Sequence, residues 1–104
     1  MTDPAVFHLA SRSEDGRVRV VASGELDLTA EDAIVDAVAA AMPATVVLDM
    51  TDVGFIDSSG LRAVLRATRA ATAAGGRLLV DVVDAGPVDR LFALAGVGDW
   101  IERA

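Results

Sequence analysis

Two consecutive serines, Ser58 and Ser59, stand between Asp57 and Gly60 in a segment whose side chains are suited to chemistry. A β-branched apolar run at 45–50 precedes them and a helical apolar pattern follows, which predicts that a helix begins at the serines. A helix start presents free backbone N–H groups and a partial positive charge, which favour a phosphate. Phosphorylation of Ser58 would add about −1.5 to −2 charges and three acceptor oxygens. The same residues also suit an ordinary helix cap, and capping is compatible with modification.

Gly60 follows the two serines inside the predicted helix. An interior helical glycine costs about 1 kcal/mol relative to alanine, and capping alone does not explain that cost. We therefore expect another backbone to approach closely at Gly60.

Three arginines, Arg62, Arg66 and Arg69, recur at helical spacing after the serines. Two interpretations of this basic stripe are open. It is either a solvated outer face of the helix or a contact surface for a partner that brings complementary acidic groups.

The side chains of enzyme active sites are largely missing from the chain. Four aspartates could be imagined as a phosphoacceptor site, namely Asp27, Asp49, Asp52 and Asp57, but the chain has no lysine, and the carboxylate pair after the first strand that such a site requires is also missing. Serine catalysis requires a base, and His8, the single histidine, falls in the first strand. Without cysteine there is no thiol nucleophile, disulfide or thiolate zinc site. The sequence predicts a protein that is not an enzyme and needs no metal or cofactor.

Composition restricts the partners as well. The 104 residues form one domain, 1–104, and 53% of them are hydrophobic but only 4% aromatic, so the core must consist of small aliphatic side chains. The net charge of −7 argues against nucleic acid and anionic membranes as partners. No signal peptide and no apolar run of about 18 residues is present, so we expect a cytoplasmic protein.

Strand and helix patterns alternate along the chain. Strands are predicted at 7–11, 17–23, 45–50 and 78–83, with Asp15-Gly16 as the turn of an opening antiparallel hairpin. Helices are predicted at 29–42, 58–72 and 87–96, the first capped by Thr29 with Asp32 completing a capping box, and Glu31 pointing away from the core. Trp100 and Ile101 form either a last short strand or a plug. The predicted fold class is α/β, a mixed and mostly parallel sheet of about four strands with helices packed against it.

Four motifs in this order resemble those of one family. They are Gly-Glu-Leu-Asp at 24–27, Phe-Ile followed by Asp-Ser-Ser-Gly-Leu at 55–61, Gly-Gly at 75–76, and the segment 88–96 with Arg-Leu-Phe at 90–92. Together they cover nearly the whole chain. The sequence is similar to STAS domains, and more specifically to bacterial anti-sigma factor antagonists.

The resemblance implies a partner switch. In this family the unphosphorylated antagonist binds an anti-sigma factor that is also a serine kinase, and a sigma factor is released. Phosphorylation at the start of the second helix ends that binding, and a metal-dependent phosphatase of the PP2C type restores it. Carried over to this chain, the acceptor is Ser58, with Ser59 as the alternative. The implied partner-binding residues are Asp27, Asp57, Ser59, Gly60 and Arg62.

Two other functions are open. STAS domains also serve as non-enzymatic subunits of stress-sensing complexes and of lipid transporters, where the partner of a transporter subunit is an ATPase and no phosphorylation occurs. The motif Asp-Ser-Ser-Gly-Leu favours sigma-factor regulation over these roles. A general nucleotide or small-ligand binder is disfavoured because the chain has no glycine-rich phosphate loop.

Overall fold

Residues 7–104 are described by the structure, a computed structural model. The four strands are β1 (His8–Glu14), β2 (Arg17–Leu26), β3 (Thr45–Ile56) and β4 (Arg77–Asp81). The three α-helices are α1 (Glu31–Ala41), α2 (Ser58–Ala73) and α3 (Pro87–Ala95). Short 3-10 helices occupy Leu28–Ala30, directly before α1, and Gly98–Trp100, after α3.

The strands form one sheet in the order β1-β2-β3-β4. The first two are antiparallel and are joined by a turn in which Asp15 and Gly16 both have positive φ, at 51° and 78°. The remaining neighbours are parallel, as crossovers through α1 and α2 require. These features confirm the predicted mixed α/β fold.

One face of the sheet carries the main core. Alternate residues of β3, Val46, Leu48 and Met50, belong to a single buried cluster that includes residues of all three helices. On the opposite face Val47 and Leu79 are paired neighbours, buried but outside that cluster. The helices therefore cover one face, and the carboxyl ends of β2 and β3 lead directly into the helical layer.

The central strands are longer than predicted. β2 continues to Leu26, past its predicted end at 23, and β3 continues to Ile56, past its predicted end at 50. Two register shifts accompany this pairing, and Gly24 adopts φ of 89° beside the second one. A glycine can take this conformation without strain, so the ladder resumes beyond it. β1 also extends past its predicted end, whereas β4 stops at Asp81 rather than at 83.

The inner face of α2 is made of small residues. Leu61, Leu65 and Thr68 are only partly buried, and the two leucines pack against the edge of the core. The buried residues of α2 are Gly60, Ala63, Val64, Ala67 and Ala71. Small side chains let α2 lie close to the sheet and to α1, and the two leucines lie at the side of the helix, next to this contact.

The chain ends against β4. Ile101 is buried in the core whereas Trp100 is exposed, so only Ile101 acts as a plug. Beyond them, the N–H of Val80 donates to the carbonyl of Glu102 at 2.8 Å, and the N–H of Ala104 donates to the carbonyl of Val80 at 2.9 Å. The tail thus forms a single parallel bridge with β4 rather than a full strand.

Candidate functional site

Asp27 and Asp57 lie side by side at the carboxyl edge of the sheet. Leu26 and Ile56 are register partners at the ends of β2 and β3, and each is followed by one of the aspartates. The N–H of Asp57 donates to the carbonyl of Leu26 at 3.3 Å, which connects the residues that follow β3 to the end of β2. Sites of open α/β sheets are found at this edge. The structure therefore brings two of the predicted partner-binding residues together.

Each aspartate caps the turn that follows it. The Asp27 carboxylate accepts from the N–H of Thr29 at 3.0 Å and from its hydroxyl at 2.6 Å. These bonds hold the pKa of Asp27 below its ordinary value, the hydroxyl contributing most. The prediction of Thr29 as the cap with Asp32 was wrong, because the chain leaves β2 extended at Asp27 and enters a 3-10 turn before α1.

The two serines begin α2. Ser58 is its first residue and is exposed, whereas Ser59 is half-buried. The Asp57 carboxylate accepts from the N–H of Ser59 at 2.8 Å and from that of Gly60 at 3.1 Å. The helix start is thus capped by Asp57, and of the two hydroxyl-bearing residues Ser58 is the more accessible to another protein.

Gly60 lies where α2 approaches the end of β2. A Cβ built on Gly60 would meet the carbonyl oxygen of Leu26 at 2.6 Å and Cγ1 of Ile56 at 2.7 Å. Real Cβ atoms do not approach backbone so closely. The expected close backbone approach is present, and it sets the distance between the serines and the Asp27 turn.

Arg62 and Arg66 of the basic stripe reach across to α1. Nε of Arg62 donates to both carboxylate oxygens of Glu31 at 3.0 Å, and its Nη2 donates to Oε1 at 2.7 Å. Nη1 of Arg66 donates to Oε2 of Glu31 at 2.5 Å and to Asp32 at 3.1 Å. The stripe is thus partly an intramolecular contact, which neither of the two interpretations from sequence anticipated.

Glu31 is the buried acid of the site. It is the first residue of α1 and is only 6% exposed, so the prediction that it points away from the core was wrong. Hydrogen bonds from Arg62 and then Arg66 lower its pKa from an ordinary value of 4.5 to about 2, against the opposing effect of burial. An acidic residue at the start of one helix and arginines one turn apart on the next were the available sequence signal.

The paired Glu31 carboxylate makes folding sensitive to acid. Between pH 4.5 and about 2 the unfolded chain binds a proton at Glu31 that the folded chain does not, so stability falls as the pH falls. We expect the free energy of unfolding of wild type to drop more steeply across this window than that of Glu31→Gln, which has no carboxyl there. Urea unfolding at several pH values measures both slopes, and equal slopes would contradict the pairing.

Two exposed apolar side chains stand near the carboxyl ends of β2 and β3. Leu28, just after Asp27, is 67% exposed, and Phe55, just before the end of β3, is 47% exposed. In the sequence Phe55 stands out only as part of the motif at 55–61, and no pattern marks Leu28. Exposed apolar groups at a polar edge are typical of protein-binding surfaces.

Asp49 and Asp52 do not join the site. Asp49 accepts from Nη1 of Arg19 at 3.0 Å and from the hydroxyl of Thr51 at 2.7 Å, whereas Asp52 pairs with Ser23 within the sheet.

Among residues 7–104 no group of three or more His, Asp or Glu side chains is placed to hold a metal ion. Within the same range, none of the helices is both long enough and apolar enough to cross a membrane.

Known proteins share this architecture. The family model described as "Mlab, STAS domain" matches residues 9–102. An anti-sigma factor antagonist from Mycobacterium paratuberculosis superposes with a TM-score of 0.80 at 23% identity, covering 97% of this chain and 87% of that chain. The anti-sigma factor antagonist SpoIIAA in its unphosphorylated form gives 0.70 at 26% identity, covering 95% and 88%.

The Bacillus cell fate determinant SpoIIAA in the phosphorylated form gives a TM-score of 0.65 at 28% identity, covering 95% of this chain and 91% of that chain. No curated protein sequence matches the chain. Because the family model spans nearly all of the described residues, the chain belongs to the STAS domain family, and the structures that it is similar to include anti-sigma factor antagonists.

Proposed function

We propose that this chain is an anti-sigma factor antagonist, a non-enzymatic cytoplasmic protein whose binding is switched by phosphorylation of Ser58. The observation that carries the proposal is the position of Ser58. It is exposed at the first residue of α2, at the sheet edge where Asp27 and Asp57 leave their strands. A hydroxyl held there on a rigid helix start is accessible to a kinase without unfolding of the domain.

The chemical step belongs to the partner. The γ-phosphoryl group of ATP is transferred to Oγ of Ser58, so one O–P bond forms, the bond to ADP breaks and the serine proton is released. A phosphatase of the PP2C type would hydrolyse the phosphoserine to serine and inorganic phosphate. This chain supplies only the acceptor and the surface that presents it.

The surroundings of Ser58 suit a charge-operated switch. The apolar side chains of Leu28 and Phe55 lie at the same edge and offer contact area to a partner. Asp27 and Asp57 are the nearest acidic caps, so a phosphate on Ser58 adds its charge to an already acidic edge. A partner that packs on the neutral hydroxyl would then have to bury uncompensated negative charge, which weakens the complex.

Relatives support this reading. SpoIIAA, an anti-sigma factor antagonist, has been solved in unphosphorylated and phosphorylated forms, and both resemble this chain over 95% of its length.

Phosphate mapping tests the proposal. The chain is incubated with ATP and each candidate anti-sigma factor kinase from its own cell, and then examined by intact-mass and fragment mass spectrometry. We expect one added phosphate, located on Ser58. Phosphate on Ser59 would keep the mechanism and move the acceptor by one residue.

Two aspartate variants serve as a matched pair in the same assay. Phe55→Asp places charge on the proposed docking surface and should lose phosphorylation, whereas Leu94→Asp changes a residue of α3 that is 86% exposed and should not. If no kinase modifies the wild-type chain and it instead binds another subunit stably, the alternative of a non-phosphorylated STAS subunit in a stress-sensing complex or lipid transporter is favoured.

A further inference from the structure

Arg62 lies one helical turn after Ser58 on α2. Residues four apart share a helix face, so Arg62 and Ser58 stand on the same face of α2, and helical side chains in general lean toward the N-terminus. The pKa of Arg62 is raised, mainly by the hydrogen bonds and charge of Glu31 and to a smaller degree by the charge of Asp57. Arg62 is also the basic residue of α2 that is nearest in sequence to Ser58.

A phosphate on Ser58 would find the adjacent backbone donors already used. The N–H groups of Ser59 and Gly60 both donate to the Asp57 carboxylate. The charged groups around this corner are four acids, Asp27, Asp57, Glu31 and Asp32, and two bases, Arg62 and Arg66. Of the two bases Arg62 is one turn from Ser58 and Arg66 is two turns away.

Arg62 is free to change partners. Its side chain is 58% exposed although its guanidinium contacts Glu31, so it can swing through solvent rather than through the core. Glu31 would keep a partner, because Arg66 donates to its second oxygen independently. The buried acid therefore stays paired when Arg62 leaves, which removes the large penalty of stranding a buried charge.

We propose that Arg62 is the phosphate-binding residue of the switch, which exchanges Glu31 for the phosphoryl oxygens when Ser58 is modified. Arginine suits this exchange because its planar fork binds carboxylate and phosphate in the same two-pronged manner. The exchange rests on the proposed function of Ser58. It also removes one of the two arginines that connect α2 to the start of α1, so the modification is transmitted to the turn that carries Asp27 and Leu28.

The phosphate itself reports whether Arg62 binds it. The full chain is produced with phosphoserine incorporated at position 58 during translation, and the pKa of the phosphate is followed by ³¹P NMR. The Arg62 guanidinium would favour the dianionic form of the phosphate. Arg62→Gln should therefore raise the phosphate pKa by about 0.5 to 1 unit relative to the phosphorylated chain that keeps Arg62. Arg69→Gln, which removes an exposed arginine three turns away, should leave it unchanged.

A second variant tests whether Glu31 and the phosphate compete for Arg62. Glu31→Gln removes the carboxylate that binds Arg62 and also removes a negative charge. It should therefore lower the phosphate pKa in both backgrounds, and by more when Arg62 is present than beside Arg62→Gln. Arg62→Lys keeps the charge without the fork and should give an intermediate value. The proposal would be overturned if the phosphate pKa of the folded Arg62→Gln chain equalled that of the chain that keeps Arg62. No kinase takes part, so a failure here is distinct from a failure of Ser58 to be phosphorylated in the mapping experiment.

Discussion

Ser58→Asp is expected to bind the anti-sigma factor kinase at least about tenfold more weakly than wild type, a loss of about 1.4 kcal/mol. The carboxylate would stand at the exposed start of α2, next to Asp57, at the edge of the sheet where Leu28 and Phe55 are also exposed. Ser58→Ala removes only a hydroxyl, so it should bind like wild type and stay bound when ATP is added. Calorimetry with the purified partner, with and without ATP, measures both effects.

Ser11→Asp is the control for the added charge. Ser11 is exposed on β1, at the far edge of the sheet from β3 and α2, so the same change in net charge there should leave binding unaltered. Equal affinities of Ser58→Asp and wild type would contradict release by charge. The aspartate carries one charge where a phosphate carries nearly two, so the effect of phosphoserine should be larger.

Gly60→Ala should destabilise the fold by about 2 kcal/mol, which lowers Tm by roughly 10 °C in a domain of this size. The added methyl would stand 2.6 Å from the carbonyl oxygen of Leu26 and 2.7 Å from Ile56, so α2 must move away from the sheet. The better helix propensity of alanine recovers only about 1 kcal/mol of the loss. Thermal unfolding followed by circular dichroism measures the change.

Gly54→Ala is the matched control for Gly60. Nothing lies within 4 Å of a Cβ built on Gly54, and its φ is not positive, so the substitution meets no obstacle. We expect its Tm to equal or slightly exceed that of wild type, because alanine reduces the entropy of the unfolded chain. A Gly60→Ala protein as stable as Gly54→Ala would show that the close approach is unimportant. Since Gly60 positions the serines, slower phosphorylation of Gly60→Ala should accompany the loss of stability.

The architecture was predictable because its signals are local. Alternation at 17–23, a β-branched apolar run at 45–50 and an apolar run at 78–83 each predicted a strand that is present. Asp15-Gly16 indicated the hairpin turn, and Pro87 marked the start of α3. The strand ends were not predictable in the same way. The predicted strand ends before Gly24, since glycine is disfavoured in strands. Pairing with β3, which is a long-range interaction, extends β2 to Leu26.

The candidate site was predictable in its parts but not in its connections. The positions of Asp57 and Ser58 at a helix start follow from capping preferences, and the structure places them there. The pairing of Glu31 with Arg62 depends on how α1 lies against α2, which no local pattern encodes. The choice of Asp27 over Thr29 as a cap was also missed, because it depends on how far β2 extends.

The bridge between residues 102–104 and Val80 covers part of the outer edge of β4. An unpaired strand edge is a template for intermolecular β-pairing and aggregation. Residues 102–104 occupy the backbone groups of Val80 on the outer side of β4, and the ion pair between Arg77 and Glu102 holds that segment in place. A chain shortened before Glu102 would expose the apolar run of β4 at an open edge, and its colloidal stability would decline even where its fold survived.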